Sequence, residues 1–200
     1  TLLSRLRDTY WKYVTLLLRG NNNDTDYALT AAPDVLAFNR DSSSNNFALT
    51  LAGDTKPSAY NPYQNGYYSC FFDGTGDFLT SAGSQAFTFG AADFTVEYWV
   101  YHTAVAATYN QHVGASTTAS GFSFGNNGTS LKMYMTTSTV GYTSTGASFV
   151  LNRWHHAAYA RVSGTVTFFL DGAVNYVVSA ATTITETNFG LGAAPSGTSY

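Results

Sequence analysis

The chain has 200 residues and a formal net charge of −3, a length that suits one all-β domain. Hydrophobic residues make up 44% and charged residues only 10%, so a sizeable core is available and the surface is polar through Ser, Thr, Asn and Gly. The negative balance supplies no basic field for a phosphate backbone, which argues against nucleic acid as a partner.

Cys70 is the single cysteine, which excludes an intrachain disulfide and a cysteine-based zinc site. No apolar run approaches the roughly 20 residues of a membrane span. The opening "TLLSRLRDTYWKYV" carries charges inside its apolar pattern and does not read as a secretory leader.

In chain order, Leu2, Leu3 and Leu6 fit one helical face, and residues 1–9 read as a linker or short helix. The aromatic and β-branched run Tyr10–Leu18 predicts a first strand, followed by a long polar loop from "RGNNNDTD" onward. Asn46–Ala52 alternates with Phe47, Leu49 and Leu51 on one face, and Phe94–His102 does so with Phe94, Val96, Tyr98 and Val100. Ser130–Thr136 places Leu131, Met133 and Met135 inward. Arg153–Val162 then turns at Ser163-Gly164 into Thr165–Leu170, which meets the hairpin signal Asp171-Gly172 before Ala173–Ala180. Many short strands at hairpin spacing predict an all-β, antiparallel two-sheet sandwich over residues 10–200.

"FFDGTGDFLT", "FTFGAADFTVEYWVY", "NRWHHAAYAR" and "GTVTFFLDGAV", in that order, resemble the laminin-G-like, concanavalin A-like lectin/glucanase jelly rolls. "YWKYVTLLLRG" and "RDSSSNNFALTLAGD" resemble the version found in tail and structural proteins of marine bacteriophages. The resemblance covers residues 10–193 and implies a jelly-roll sandwich. For function it implies a non-enzymatic virion structural or adhesion domain on a tail or particle surface. Its expected partners are other virion subunits, in a homo-oligomer, and host surface glycan. The alternative is a stand-alone, calcium-linked carbohydrate-binding lectin or cell-adhesion module of a microbe, working extracellularly. Such domains close with a further strand beside the first; none is read up to "GLGAAPSGTSY", so either that strand lies beyond this chain or this variant lacks it, and an edge left open would be a hint of assembly.

Chemistry is sparse. A glycosidase needs two carboxylates flanking one sugar bond, yet Glu97 and Glu186 are the only glutamates and lie far apart in the chain. Glu97 shares its face with Thr95 and Trp99 and has no acidic neighbour, so no enzyme is expected. "GFSFG" matches a nucleophile-elbow pattern at Ser123, but that motif requires a strand-to-helix turn and here sits in an alternating all-β context. His155 and His156, adjacent on a strand, point to opposite faces and cannot share an ion. His102 and His112 flank a hairpin and can meet across it as a surface pair.

Calcium is the better-motivated ion, with oxygen donors in Asp41, Ser43 and Asn45 and in Asn23, Asp24 and Asp26. The resemblance carries a calcium role only to Asp41, and an Asx-turn capped by Asp41 and Ser43 is the preferred reading of that loop. For sugar, two loop tips combine aromatic faces with amides: Tyr60, Asn61, Tyr63, Gln64 and Asn65, and Tyr109, Asn110 and Gln111. Asp73, Gly74, Gly76 and Asp77, like Asp171 and Gly172, read as turns that define the fold.

Overall fold

The computed structural model describes residues 11–18, 41–63, 68–114, 121–135 and 141–193. Among these, thirteen strands follow in order. They are β1 (Leu49–Ala52), β2 (Lys56–Ser58), β3 (Ser69–Phe71), β4 (Phe78–Ser81), β5 (Phe94–Tyr101), β6 (Tyr109–Gly114) and β7 (Phe122–Asn127). Then come β8 (Ser130–Met135), β9 (Gly141–Thr143), β10 (Trp154–Val162), β11 (Thr165–Leu170), β12 (Ala173–Ser179) and β13 (Phe189–Leu191).

A seven-stranded sheet runs β1-β4-β13-β6-β7-β8-β9 and a four-stranded sheet runs β12-β11-β10-β5, with β2 and β3 as a separate ribbon. Every pairing is antiparallel. The all-β, antiparallel two-sheet sandwich expected from strand spacing is the architecture found.

Period-two alternation decides the layers. Phe94, Val96, Tyr98 and Val100 of β5 pack against the core while Thr95, Glu97 and Trp99 stay outside. Phe122 and Phe124 of β7, Met133 of β8 and Tyr159 of β10 meet them in the middle. The Phe124 and Tyr159 ring centroids are 4.3 Å apart. Each such ring or aliphatic side chain contributes about 1.5–3 kcal/mol on burial.

Arg161 is fully buried on β10, and its guanidinium donates to the carbonyls of Gly90, Ala92 and Thr182 over the Phe94 ring. Spread over several acceptors, that charge ties the segments beside the Gly90–Ile184 bridge to the sheet.

The first expected strand is not formed as one. Trp11–Tyr13 is a 3₁₀ turn and residues 14–18 carry no ladder. They are held by the neighbouring loop instead. The buried Asp41 carboxylate accepts the N–H groups of Leu17, Ser43 and Phe47 and the Ser43 hydroxyl, while the Asn45 side chain donates to the Thr15 carbonyl, 3.0 Å from Ser43 Oγ. Side-chain donors and acceptors replace a ladder, which alternation alone does not reveal. Residues 1–9 lie outside the described residues.

The two aspartate-glycine turns act as expected. The Asp73 carboxylate accepts Thr75 N–H within its own turn. Asp77, 3% exposed, accepts Asp73 N–H and reaches Asp54 N–H in the β1–β2 loop. Asp171 and Gly172 take φ of 51° and 79°, the left-handed pair that a two-residue hairpin requires.

Candidate functional site

On the outer face of the four-stranded sheet, Trp154 of β10 lies opposite Tyr101 of β5, and His156 opposite Trp99. Because side chains alternate, this register gathers four aromatic or imidazole rings on one solvent-facing surface. Trp99 and His156 rings sit 5.2 Å apart and Tyr101 and Trp154 rings 5.5 Å apart.

The loop after β2 folds onto the same surface. Tyr60 stacks on Trp154 at 5.9 Å and meets Tyr101 edge-on at 4.8 Å, and Tyr63 meets Trp99 edge-on at 5.9 Å. Asn61 shapes this loop: its Oδ1 accepts Tyr63 N–H and its Nδ2 donates to the Ala59 carbonyl. Tyr60, Tyr63 and Trp99 remain 56%, 60% and 43% exposed, unusual for large rings gathered in one place.

An open cleft of about 430 Å³ lies here, lined by Trp99, Arg153, Trp154, His156, Asp171 and Gly172. Asp171 organises it. One carboxylate oxygen accepts from His155 Nδ1 at 2.8 Å and from Arg153 at 3.3 Å, and the other accepts His156 N–H at 3.0 Å. Partial burial pushes the Asp171 carboxyl up, but the bonds from His156 N–H and His155 and the charge of Arg153 outweigh it and hold it below its usual value. The cleft thus offers aromatic faces, a guanidinium and an ionised carboxylate: the means to hold an amphipathic ring and its polar substituents.

Of the residues predicted for sugar, the structure places Tyr60 against Trp154 and Tyr63 against Trp99, beside the cleft, with Asn61 in the turn between them. Gln64 and Asn65 lie outside the described residues, as do Asn23, Asp24 and Asp26. Tyr109, Asn110 and Gln111 are elsewhere. They form the start of β6 in the other sheet rather than a loop tip. The Tyr109 hydroxyl bonds Ser123, Ser123 Oγ donates to Gln111 Oε1, and Gln111 Nε2 donates to the Ala193 carbonyl at 2.9 Å. Burial pushes the Tyr109 phenol well up. Asn110 donates to Thr108.

Ser123 is fully buried on β7 and sits in no nucleophile elbow, as its strand context predicted. His155 points inward and His156 outward. His102 and His112 do meet, Nε2 to Nε2 at 3.0 Å, but not as a surface pair. They are sheltered against Phe149, with Tyr98 OH on His112 Nδ1 and Asn126 Oδ1 on its Nε2. Burial, with His155 nearby, lowers His102 to about 4; burial and His102 lower His112 to about 3.

For a cation, Asp54, Asp73 and Asp77 bring one carboxylate oxygen each within 4.8 Å of one another, although both Asp77 oxygens already accept backbone N–H groups. The oxygens of Asp41 are likewise engaged by N–H and O–H donors, the Asx-turn that the sequence favoured.

Trp154, Arg153 and the site role of Asp171 escaped sequence reasoning. The alternation of β5 placed Trp99 outside, which was the one usable signal; the cross-strand register joining it to β10 is not written in either strand alone.

The sequence pattern of the "Concanavalin A-like lectin/glucanases superfamily" matches residues 72–200. The chain belongs to this superfamily. No curated protein sequence matches it. Among solved structures, it is similar to domain 4 of an extracellular arabinanase from Geobacillus stearothermophilus, determined in complex with arabinotriose. The identity is 16% and the TM-score 0.60, with 78% of each chain covered. It is also similar to the receptor-binding domain of botulinum neurotoxin D, at 11% identity and TM-score 0.65, covering 92% of this chain and 45% of that one. The binding domain of serotype C1 gives 12% identity and TM-score 0.59, covering 76% and 39%. The chain therefore spans less than half the length of these toxin domains. At such identities the likeness is one of fold.

Proposed function

We propose that this superfamily member is a non-enzymatic carbohydrate-binding domain whose site is the aromatic cleft on the outer face of the four-stranded sheet. The observation that carries the reading is the gathering of exposed Trp99, Tyr60 and Tyr63 rings beside Arg153 and Asp171. A pyranose or furanose lays its C–H face on an aromatic ring and turns its hydroxyls toward charged side chains, so the constellation suits it. The arabinanase domain, of like fold and holding arabinotriose, supports the same class of ligand.

The setting we propose is the surface of a virus particle or its tail, in several copies and directed at host glycan. This rests on the resemblance of "YWKYVTLLLRG" and "RDSSSNNFALTLAGD" to virion domains. A binding survey of the purified chain over plant, algal and bacterial polysaccharides tests the first proposal. Retention of one class, abolished in Trp99→Ala, is the expected result, and no retention of any class overturns it. Peptide mass spectrometry of purified particles from the native host tests the setting; absence of the chain from them refutes it.

A further inference from the structure

We infer that the cleft selects an anionic sugar, one carrying a carboxylate or a sulfate ester, and that Arg153 is the residue that reads the charge. The inference rests on the carbohydrate-binding reading of the same cleft.

The donors are in surplus. Arg153 is 61% exposed at its side chain and makes a single 3.3 Å contact, to Asp171, so most of its N–H fork faces outward. Trp154 Nε1, covered by the Tyr60 and Tyr101 rings, has no hydrogen-bond partner among the described residues, so Arg153 is the donor that faces a ligand.

The acceptors are depleted. Among the described residues, Asp171 is the only carboxylate lining the cleft. Its oxygens already take bonds from His155, Arg153 and the His156 N–H. His156 Nε2 turns to Glu97 at 3.4 Å, outside the lining.

A sugar hydroxyl can accept from Arg153, but the lining carboxylate it could donate to is already shared by three donors. A carboxylate or sulfate only accepts, and matches the outward-facing fork of Arg153. The planar guanidinium fork is shaped for such a group, and its exposed contact with Asp171 is weak enough to be exchanged for a ligand. The chain as a whole carries −3, so no general attraction draws polyanions to it. A preference for them would have to come from the cleft. The ligand's ring lies on Trp99 and its anionic substituent on Arg153.

Affinity electrophoresis of the whole chain through gels holding neutral arabinan, polygalacturonate or a sulfated galactan tests this. Both acidic polymers, or one of them, should be bound at least tenfold more tightly than arabinan, and which one tells carboxylate from sulfate. Arg153→Ala should lower acidic binding about tenfold and arabinan binding by a clearly smaller factor, while Trp99→Ala should lose every polymer. Binding of arabinan alone, still dependent on Trp99, overturns the anionic inference and leaves the carbohydrate reading intact. Acidic binding that survives Arg153→Ala overturns it as well. Absence of binding to all polymers removes both.

Discussion

Tyr60–Asn61–Pro62–Tyr63 and Tyr109–Asn110–Gln111 are near-synonyms as sequence, aromatic rings interleaved with amides, yet the fold puts them to opposite uses. In β6 the polar valences are closed internally: Tyr109 with Ser123, Ser123 with Gln111, and Gln111 with the Ala193 carbonyl. Beside the cleft, the Asn61 side chain settles its own turn, while the tyrosines line up over Trp154 and Trp99 with most of their surface in water. An aromatic-amide cluster is a candidate site only where some of its binding capacity is left over. A network with nothing left over is structure, however much it resembles a site. This contrast can be broken by experiments on either side of it.

The largest effect should come from acid, acting on the sheltered polar groups where β6 faces β5. His102 and His112 are lowered from 6.5 to about 4 and about 3, first by burial and then by neighbouring imidazoles. Below about 6.5 the unfolded chain takes up protons on both rings while the folded chain does not, so stability present at neutral pH is lost as pH falls toward 4. At still lower pH, protonation of Asp171, whose folded carboxyl is held below 3.8, acts in the same direction. Unfolding free energies from denaturant titrations between pH 7 and about 4 should fall steadily, by several kcal/mol in all. His112→Gln should flatten that slope, and an unchanged slope would show that the pair titrates freely in the fold.

Close behind is Gly125→Ala on β7. A Cβ there would overlap the carbonyl oxygen of Asn110 across the β6–β7 ladder, where backbone cannot yield without breaking the pairing. A loss of about 3 kcal/mol is expected, read as a lowered melting temperature.

Much of this fold was legible because alternation and turn chemistry are local. β5, β8, β10, β11 and β12 appear close to where their side-chain patterns put them, and Asp171-Gly172 turns as its left-handed φ values demand. Two things were not local. Residues 14–18 looked like a strand, but their polar partners are the Asp41, Ser43 and Asn45 side chains of a distant loop. The cleft needs the register that sets Trp99 beside His156, and it needs the Asp171 carboxylate to reach back to the start of β10. A hairpin aspartate read only as a turn residue conceals its second task.

Gln111→Ala tests the internal side of the contrast at lower cost. It strands the Ala193 carbonyl and removes an acceptor from Ser123, so about 1–3 kcal/mol of stability should go. Binding of any polysaccharide held by the wild type should be unchanged, since the cleft lies on the other sheet. A parallel loss of binding would move the site to the seven-stranded sheet.

Trp99→Ala should show the reverse. The indole is 43% exposed and meets the Tyr63 and His156 rings, so stability should shift by no more than about 0.5 kcal/mol. Affinity for the bound glycan should nonetheless drop at least tenfold, or about 1.4 kcal/mol, because the ring supplies the apolar face against which the sugar desolvates. Calorimetric titration and thermal unfolding of the same preparation separate the two quantities. A variant that loses stability but keeps affinity would make Trp99 a packing residue. The exposed rings would then be covering the β5–β10 face rather than waiting for a ligand.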